Sequence, residues 1–214
     1  MSAYITATGV FLPGYPVPND EIEDYIGKAG RASSDLKDLI LANYGIKTRH
    51  YAIDKNQQTV ISNAAMAAGA VRNAAERAGL GPDEVELLTA ATTLPDVLGP
   101  GHASMVHGEL GYGPLEIATA HGICSSGMMA LKNAYLQVAI GEKRNAICVA
   151  SEFASRGFKS TRYDEMRAIS EDGSLPMETA FLRYMLSDGA GAAVERFDDL
   201  HPLLRADGEF LDDG

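Results

Sequence analysis

The chain has 214 residues, 46% of them apolar, and a formal net charge of −11. That length and composition predict one substantial core; the acidic balance argues against nucleic acid, and no apolar stretch approaches the ~20 residues of a membrane span. No basic segment followed by a long apolar one opens the chain, and its two cysteines show no pairing pattern, so a cytoplasmic protein is expected.

Taken in order, the elements alternate between strand and helix, which predicts a layered α/β fold. Residues 4–12 read as a strand ended by Pro13 and Gly14. Asn19 and Asp20 are placed to cap a short helix to about residue 25. Residues 34–43 form a helix with Leu36, Leu39 and Ile40 at helical spacing. An alanine-rich helix over 59–78 stops at Gly79, and its Ala64, Ala65, Ala68 and Gly69 suit close packing between layers. Residues 85–93 are a near-continuous apolar strand, the mark of a strand covered on both faces. A helix over 102–110 ends at Gly111. Residues 115–120 form a strand that feeds a turn, and 125–140 a helix that Gly141 ends. That helix is apolar nearly all round its first two turns, so it is expected to be central. A strand at 145–151, a polar excursion over 153–177, a helix near 178–183 and strands at 185–197 and 203–206 complete the chain.

The turn between the strand at 115–120 and the helix at 125–140 carries Cys124. A thiol there meets the free N–H groups and the positive dipole end of a helix, which favour a thiolate. Gly122, Ser125, Ser126 and Gly127 around it leave room for a substrate and for close backbone approach. Cys148, inside the apolar run Ala146-Ile147-Cys148-Val149, reads instead as a small buried hydrophobe. Cys124 is the candidate nucleophile, and the chemistry it suits is acyl transfer through a thioester.

These residues resemble the ketoacyl synthase III-like condensing enzymes of the thiolase fold. Thr8-Gly9-Val10-Phe11-Leu12-Pro13 is similar to the family's opening strand, and Gly45-Ile46-Lys47-Thr48-Arg49-His50 to its Gly-Ile-x-x-Arg-His segment. Ala90-Ala91-Thr92-Thr93 resembles the end of a central strand. Ser187-Asp188-Gly189-Ala190-Gly191-Ala192 resembles the Gly-Asp-Gly-Ala-Gly-Ala hairpin, and Ala206-Asp207-Gly208 a closing His-Ala-Asp-Gly turn. The resemblance implies an N-terminal thiolase-like half-domain over 1–214: a mixed five-stranded sheet, a buried nucleophile helix and covering helices. It implies acylation of Cys124, then a Claisen condensation in fatty acid or polyketide-type synthesis, with acyl carrier protein or coenzyme A thioesters as substrates and a homodimer as the assembly. No metal or cofactor is expected. The family completes its site with a histidine and an asparagine from a second half-domain. None of His50, His102, His107, His121 or His201 stands in the matching context, so that half-domain is expected to be absent from this chain.

Two departures bear on substrate. The family's coenzyme A users hold the adenine with a tryptophan and an arginine; the matching positions here are Leu39 and Asn43, and a second arginine falls near Ala180. Short-chain members carry a phenylalanine before the proline that is here Pro100. Gly99 stands in its place and opens volume for a longer acyl chain, with Met128 and Met129 able to adapt to it. Residues 1–160 hold 13 basic and 16 acidic side chains, against 5 and 13 in 161–214, so no basic dock for an acidic carrier is expected here. Two other readings stay open. Gly122-Ile123-Cys124-Ser125-Ser126 is one residue short of a hydrolase nucleophile elbow, with Asp188 and His201 in order behind it. A non-catalytic scaffold for an active condensing enzyme is the other.

Overall fold

The computed structural model describes residues 2–30, 33–166 and 175–198. Strand β1 (Ser2–Phe11) leads to the short pairing strand β2 (Val17–Pro18), helices α1 (Ile22–Ile26) and α2 (Ser33–Tyr44), and β3 (Thr48–Arg49), which pairs with β2. Helix α3 (Asn63–Ala78), β4 (Leu87–Thr92), α4 (His102–Leu110), β5 (Glu116–His121), α5 (Ser126–Ala139) and β6 (Asn145–Glu152) follow. Short helices α6 (Ala154–Phe158) and α7 (Ser160–Met166), then α8 (Met177–Met185) and β7 (Gly189–Asp198), end the described chain.

The main sheet has the order β1-β7-β6-β4-β5. β4 runs parallel to both β5 and β6, while β7 runs antiparallel to β6 and to β1. This is the mixed five-stranded sheet expected from the sequence. Every residue of β4 is buried, as its apolar run requires. One face carries α3, and its small residues let backbone meet backbone. A Cβ on Gly9 of β1 would collide with the Ala70 carbonyl, and one on Gly69 with the Phe11 ring. The larger core, with Leu88, Ile147, Val149, Val194 and Met66, lies on this side. The opposite face carries α5 over a smaller core of Leu87, Ala91, Ala130, Ala134, Val138 and Ala146.

Several boundaries differ from the sequence reading, each for a local reason. Helix α3 begins at Asn63 rather than 59, because Val60 N–H donates to the Ala52 carbonyl and Ser62 Oγ accepts from Ala65 N–H as the N-cap. Helix α1 begins at Ile22; Asn19 does not cap it, since its amide donates to the Ile46 carbonyl at 2.7 Å. Strand β7 begins at Gly189, because α8 runs on to Met185. In α2, Ile40 is buried but Leu39 is exposed. The strand expected at 203–206 and the turn at 206–208 lie outside the described residues, and the excursion over 153–177 is described only in part.

Helix α5 is buried along one side only. Ser126, Ala130, Ala134 and Val138 face the sheet, while Met128, Met129, Tyr135, Leu136 and Ile140 are exposed. The all-round apolar character of its first turns predicts a central, buried helix, but among the described residues only one side is covered. No helix among the described residues is long and apolar enough to cross a membrane.

Candidate active site

Because β5, β4 and β6 run parallel, their carboxyl ends share one edge of the sheet, where ligands of α/β folds gather. Thr92, His121 and Glu152 end these strands. Cys124 stands in the turn that leaves β5 for α5, and it is exposed. The turn closes on the Ile123 carbonyl, which accepts from Ser126 N–H at 3.2 Å and from Ser126 Oγ at 3.0 Å. Met129 N–H reaches the Ser125 carbonyl at 3.1 Å and starts the helix. Cys124 therefore sits at the amino end of a 14-residue helix, where backbone N–H groups and the dipole stabilise a developing anion. Gly127 brings the helix onto β6: a Cβ there would lie 3.2 Å from the Ala150 methyl.

Cys148 differs in every respect. It is buried between α5 and the sheet, and burial pushes its thiol up to about 12, with Glu195 adding to the shift. The two cysteines thus divide in exposure, one open at a helix start and one buried in a strand.

The loop after β4 is fixed from several sides. Asp96 accepts Asn63 N–H at 3.0 Å and Ala64 N–H at 2.9 Å, so its carboxylate seats the first turn of α3. The Asn63 amide donates to Thr92 Oγ1 at 2.8 Å and to the Leu94 carbonyl at 3.2 Å. Thr93 N–H and Oγ1 both donate to Glu152, at 2.8 and 2.7 Å. At the far end, His102 is buried, with Nε2 3.0 Å from Ser151 Oγ, and burial lowers its pKa to about 4.

Cys124 and Met128 are one helical turn apart, and Met128 is exposed on the rim of a groove of about 550 Å³ between α5 and β1, beside Ile5, Leu131 and Tyr135. Around Gly99 the space is open: a Cβ built on it would meet nothing within 4 Å. Under the groove lies Glu195, 1% exposed, with both carboxylate oxygens unpartnered. Sequence reasoning missed Glu195 and Glu152. The signal for both was an acid inside or at the end of an otherwise apolar strand. Two other histidines are committed: His50 Nδ1 lies 3.0 Å from the Pro13 carbonyl and His107 Nε2 3.0 Å from that of Gly113, while His121 is exposed at the end of β5, beside the Cys124 turn. Asp188 is buried and accepts from Ala52 N–H, Ser155 N–H and Ser155 Oγ, which spends it on structure rather than on a charge relay. His201, its partner in a hydrolase reading, lies outside the described residues.

Comparison with known proteins follows the same line. No family model matches the chain. The beta-ketoacyl-[acyl-carrier-protein] synthase III of Neisseria meningitidis serogroup A is 30% identical over 98% of this chain, and the chain spans 58% of that protein. Among solved structures, AbyA1, a tetronic acid condensing enzyme, superposes with a TM-score of 0.76 at 25% identity, over 94% of this chain and 56% of its own. The 3-oxoacyl-[acyl-carrier-protein] synthase III of Aquifex aeolicus shares the fold with a TM-score of 0.67 at 23% identity, over 92% and 55%. The motif resemblance to the ketoacyl synthase III-like condensing enzymes is thus borne out in sequence and in the thiolase-like fold, and the chain spans little more than half the length of these relatives.

Proposed function

We propose that this chain is the nucleophile-bearing, N-terminal half-domain of a ketoacyl synthase III-like acyltransferase, and that Cys124 accepts an acyl group from a thioester. The observation that carries this is the exposed thiol at the start of α5, on the edge where three parallel strands end. The Cys124 thiolate attacks the thioester carbonyl, a tetrahedral oxyanion forms, and its collapse expels the donor's thiolate and leaves an acyl-cysteine. The Cys124 N–H is the oxyanion donor this chain offers; a second belongs to the other half-domain.

Condensation needs a carbanion, formed by decarboxylation of a malonyl or related carrier thioester, and so a histidine and an asparagine beside Cys124. His50, His102 and His107 are held elsewhere and His121 does not stand in the family's histidine segment; the pair is assigned to the second half-domain, as the resemblance implies. The donor is an acyl carrier protein or coenzyme A thioester, and the working assembly is a cytoplasmic homodimer. The coenzyme A clamp is weak here: Leu39 and Asn43 replace its aromatic and cationic members, and Ala180 is fully buried, with no room for an arginine. A hydrolase or a scaffold draws less support, since Asp188 is spent and the cysteine is kept.

The test is intact mass after incubation with decanoyl and acetyl thioesters of carrier protein and of coenzyme A. One acyl increment, mapped to Cys124 and lost in Cys124→Ala, is expected. No adduct with any donor, in the chain joined to a second half-domain, would sink the reading.

A further inference from the structure

The turn that carries Cys124 meets the end of β4 through the hydroxyl of Thr93, the residue after that strand. Thr93 Oγ1 donates to Glu152 Oε1 at 2.7 Å, and the same oxygen lies 3.4 Å from the carbonyl of Gly122, two residues before the nucleophile. A threonine hydroxyl has one proton to give. A carboxylate at 2.7 Å takes it over a neutral carbonyl at 3.4 Å, since charge-assisted bonds are shorter and about twice as strong. Glu152 also accepts Thr93 N–H, so the threonine cannot easily turn away from it.

We propose that Glu152 is a positioning residue that withholds the Thr93 proton from the Gly122 carbonyl and so keeps the Cys124 turn adjustable. Remove the carboxylate and the hydroxyl rotates to Gly122, tying the turn to β4. The proposal rests on Cys124 as the nucleophile for its meaning, but its readout needs no acyl transfer. Glu152 would act through Thr93 and touch no substrate.

Hydrogen–deuterium exchange of the segment 121–127, with iodoacetamide labelling of Cys124 across pH 6–9, tests it on the 1–214 chain. Glu152→Ala should slow exchange in that segment about threefold to tenfold and slow Cys124 labelling in parallel. Thr93→Val should leave exchange at the parent rate, and it should abolish the slowing when combined with Glu152→Ala. Thr93→Ser, which keeps the hydroxyl, should restore it. Should Glu152→Ala fail to fold, Glu152→Gln keeps an acceptor for Thr93 N–H and should give a smaller change of the same sign. Faster or unchanged exchange in the Glu152 variants would overturn the proposal, as would slowing that persists without the Thr93 hydroxyl. A pure charge effect would shift the labelling profile with pH in Glu152→Gln and leave exchange alone, and that result also overturns it.

Discussion

Arg156 and Asp96 pair at 3.1 Å, and through that pair the loop after β4 is fastened to α6 while the same carboxylate seats the first turn of α3. Arg156 adds bonds to the Leu94 and Pro95 carbonyls. One acidic side chain therefore sets how the loop bearing Gly99 approaches the sheet edge where Cys124 stands.

Asp96→Ala should cost about 1–3 kcal/mol, because two helix N–H groups and a guanidinium lose their acceptor together. Thermal unfolding of the parent and variant measures it. A change within error would mean that water replaces the carboxylate in full.

Cys124 should alkylate much faster than Cys148. Burial holds the Cys148 thiol near 12 and so almost wholly protonated at neutral pH, whereas Cys124 is open to the reagent. Timed iodoacetamide labelling with peptide mapping separates them, and equal rates would remove the case for Cys124.

Burial pushes the Glu195 carboxyl up to about 7 from an ordinary 4.5. The folded chain then binds that proton more tightly than the unfolded chain, so stability is full at pH 4 and falls as pH rises through 4.5 to 7. Glu195→Gln, which carries no titrating group, should lose less between pH 5 and pH 8 and unfold at least about 2 °C higher at pH 8. Identical slopes for both proteins would show that the carboxylate finds a partner on ionising.

In an enzyme restored with a second half-domain, Gly99→Phe should slow acylation by long donors roughly tenfold to a hundredfold, as overpacking by about 1–3 kcal/mol implies. Acetyl and propionyl donors should keep their rates. The space around Gly99 is free in this chain, so the variant should fold. Equal slowing across donors of two to twelve carbons would detach Gly99 from chain-length control.

What the sequence made legible was what local chemistry dictates. The apolar run of β4, the glycine stops at Gly79 and Gly111, and the strand–turn–helix around Cys124 are written in neighbouring residues. Helix α3 was misplaced at its start because 59–62 is helix-compatible in composition, and only a backbone bond to Ala52, distant in no sequence motif, draws Val60 out. Glu152 and Thr93 are 59 residues apart, so their junction with Gly122 exists only once three strands are in register. Glu195 stands in a stretch dense in acids, and nothing in its neighbours marks it off from them; the sheet buries it, in register with Ile5.

The open outer side of α5 decides the fate of anything placed on Cys124. A buried acyl-cysteine survives because water is kept from its carbonyl. In this chain the thiol is exposed and the helix beside it presents Met128 and Met129 to solvent, so an acyl group there stands within reach of water and hydroxide. If Cys124 is acylated as proposed, the acyl group on this chain is open to hydrolysis to the free acid, and the lifetime of that thioester gauges how far the helix is covered.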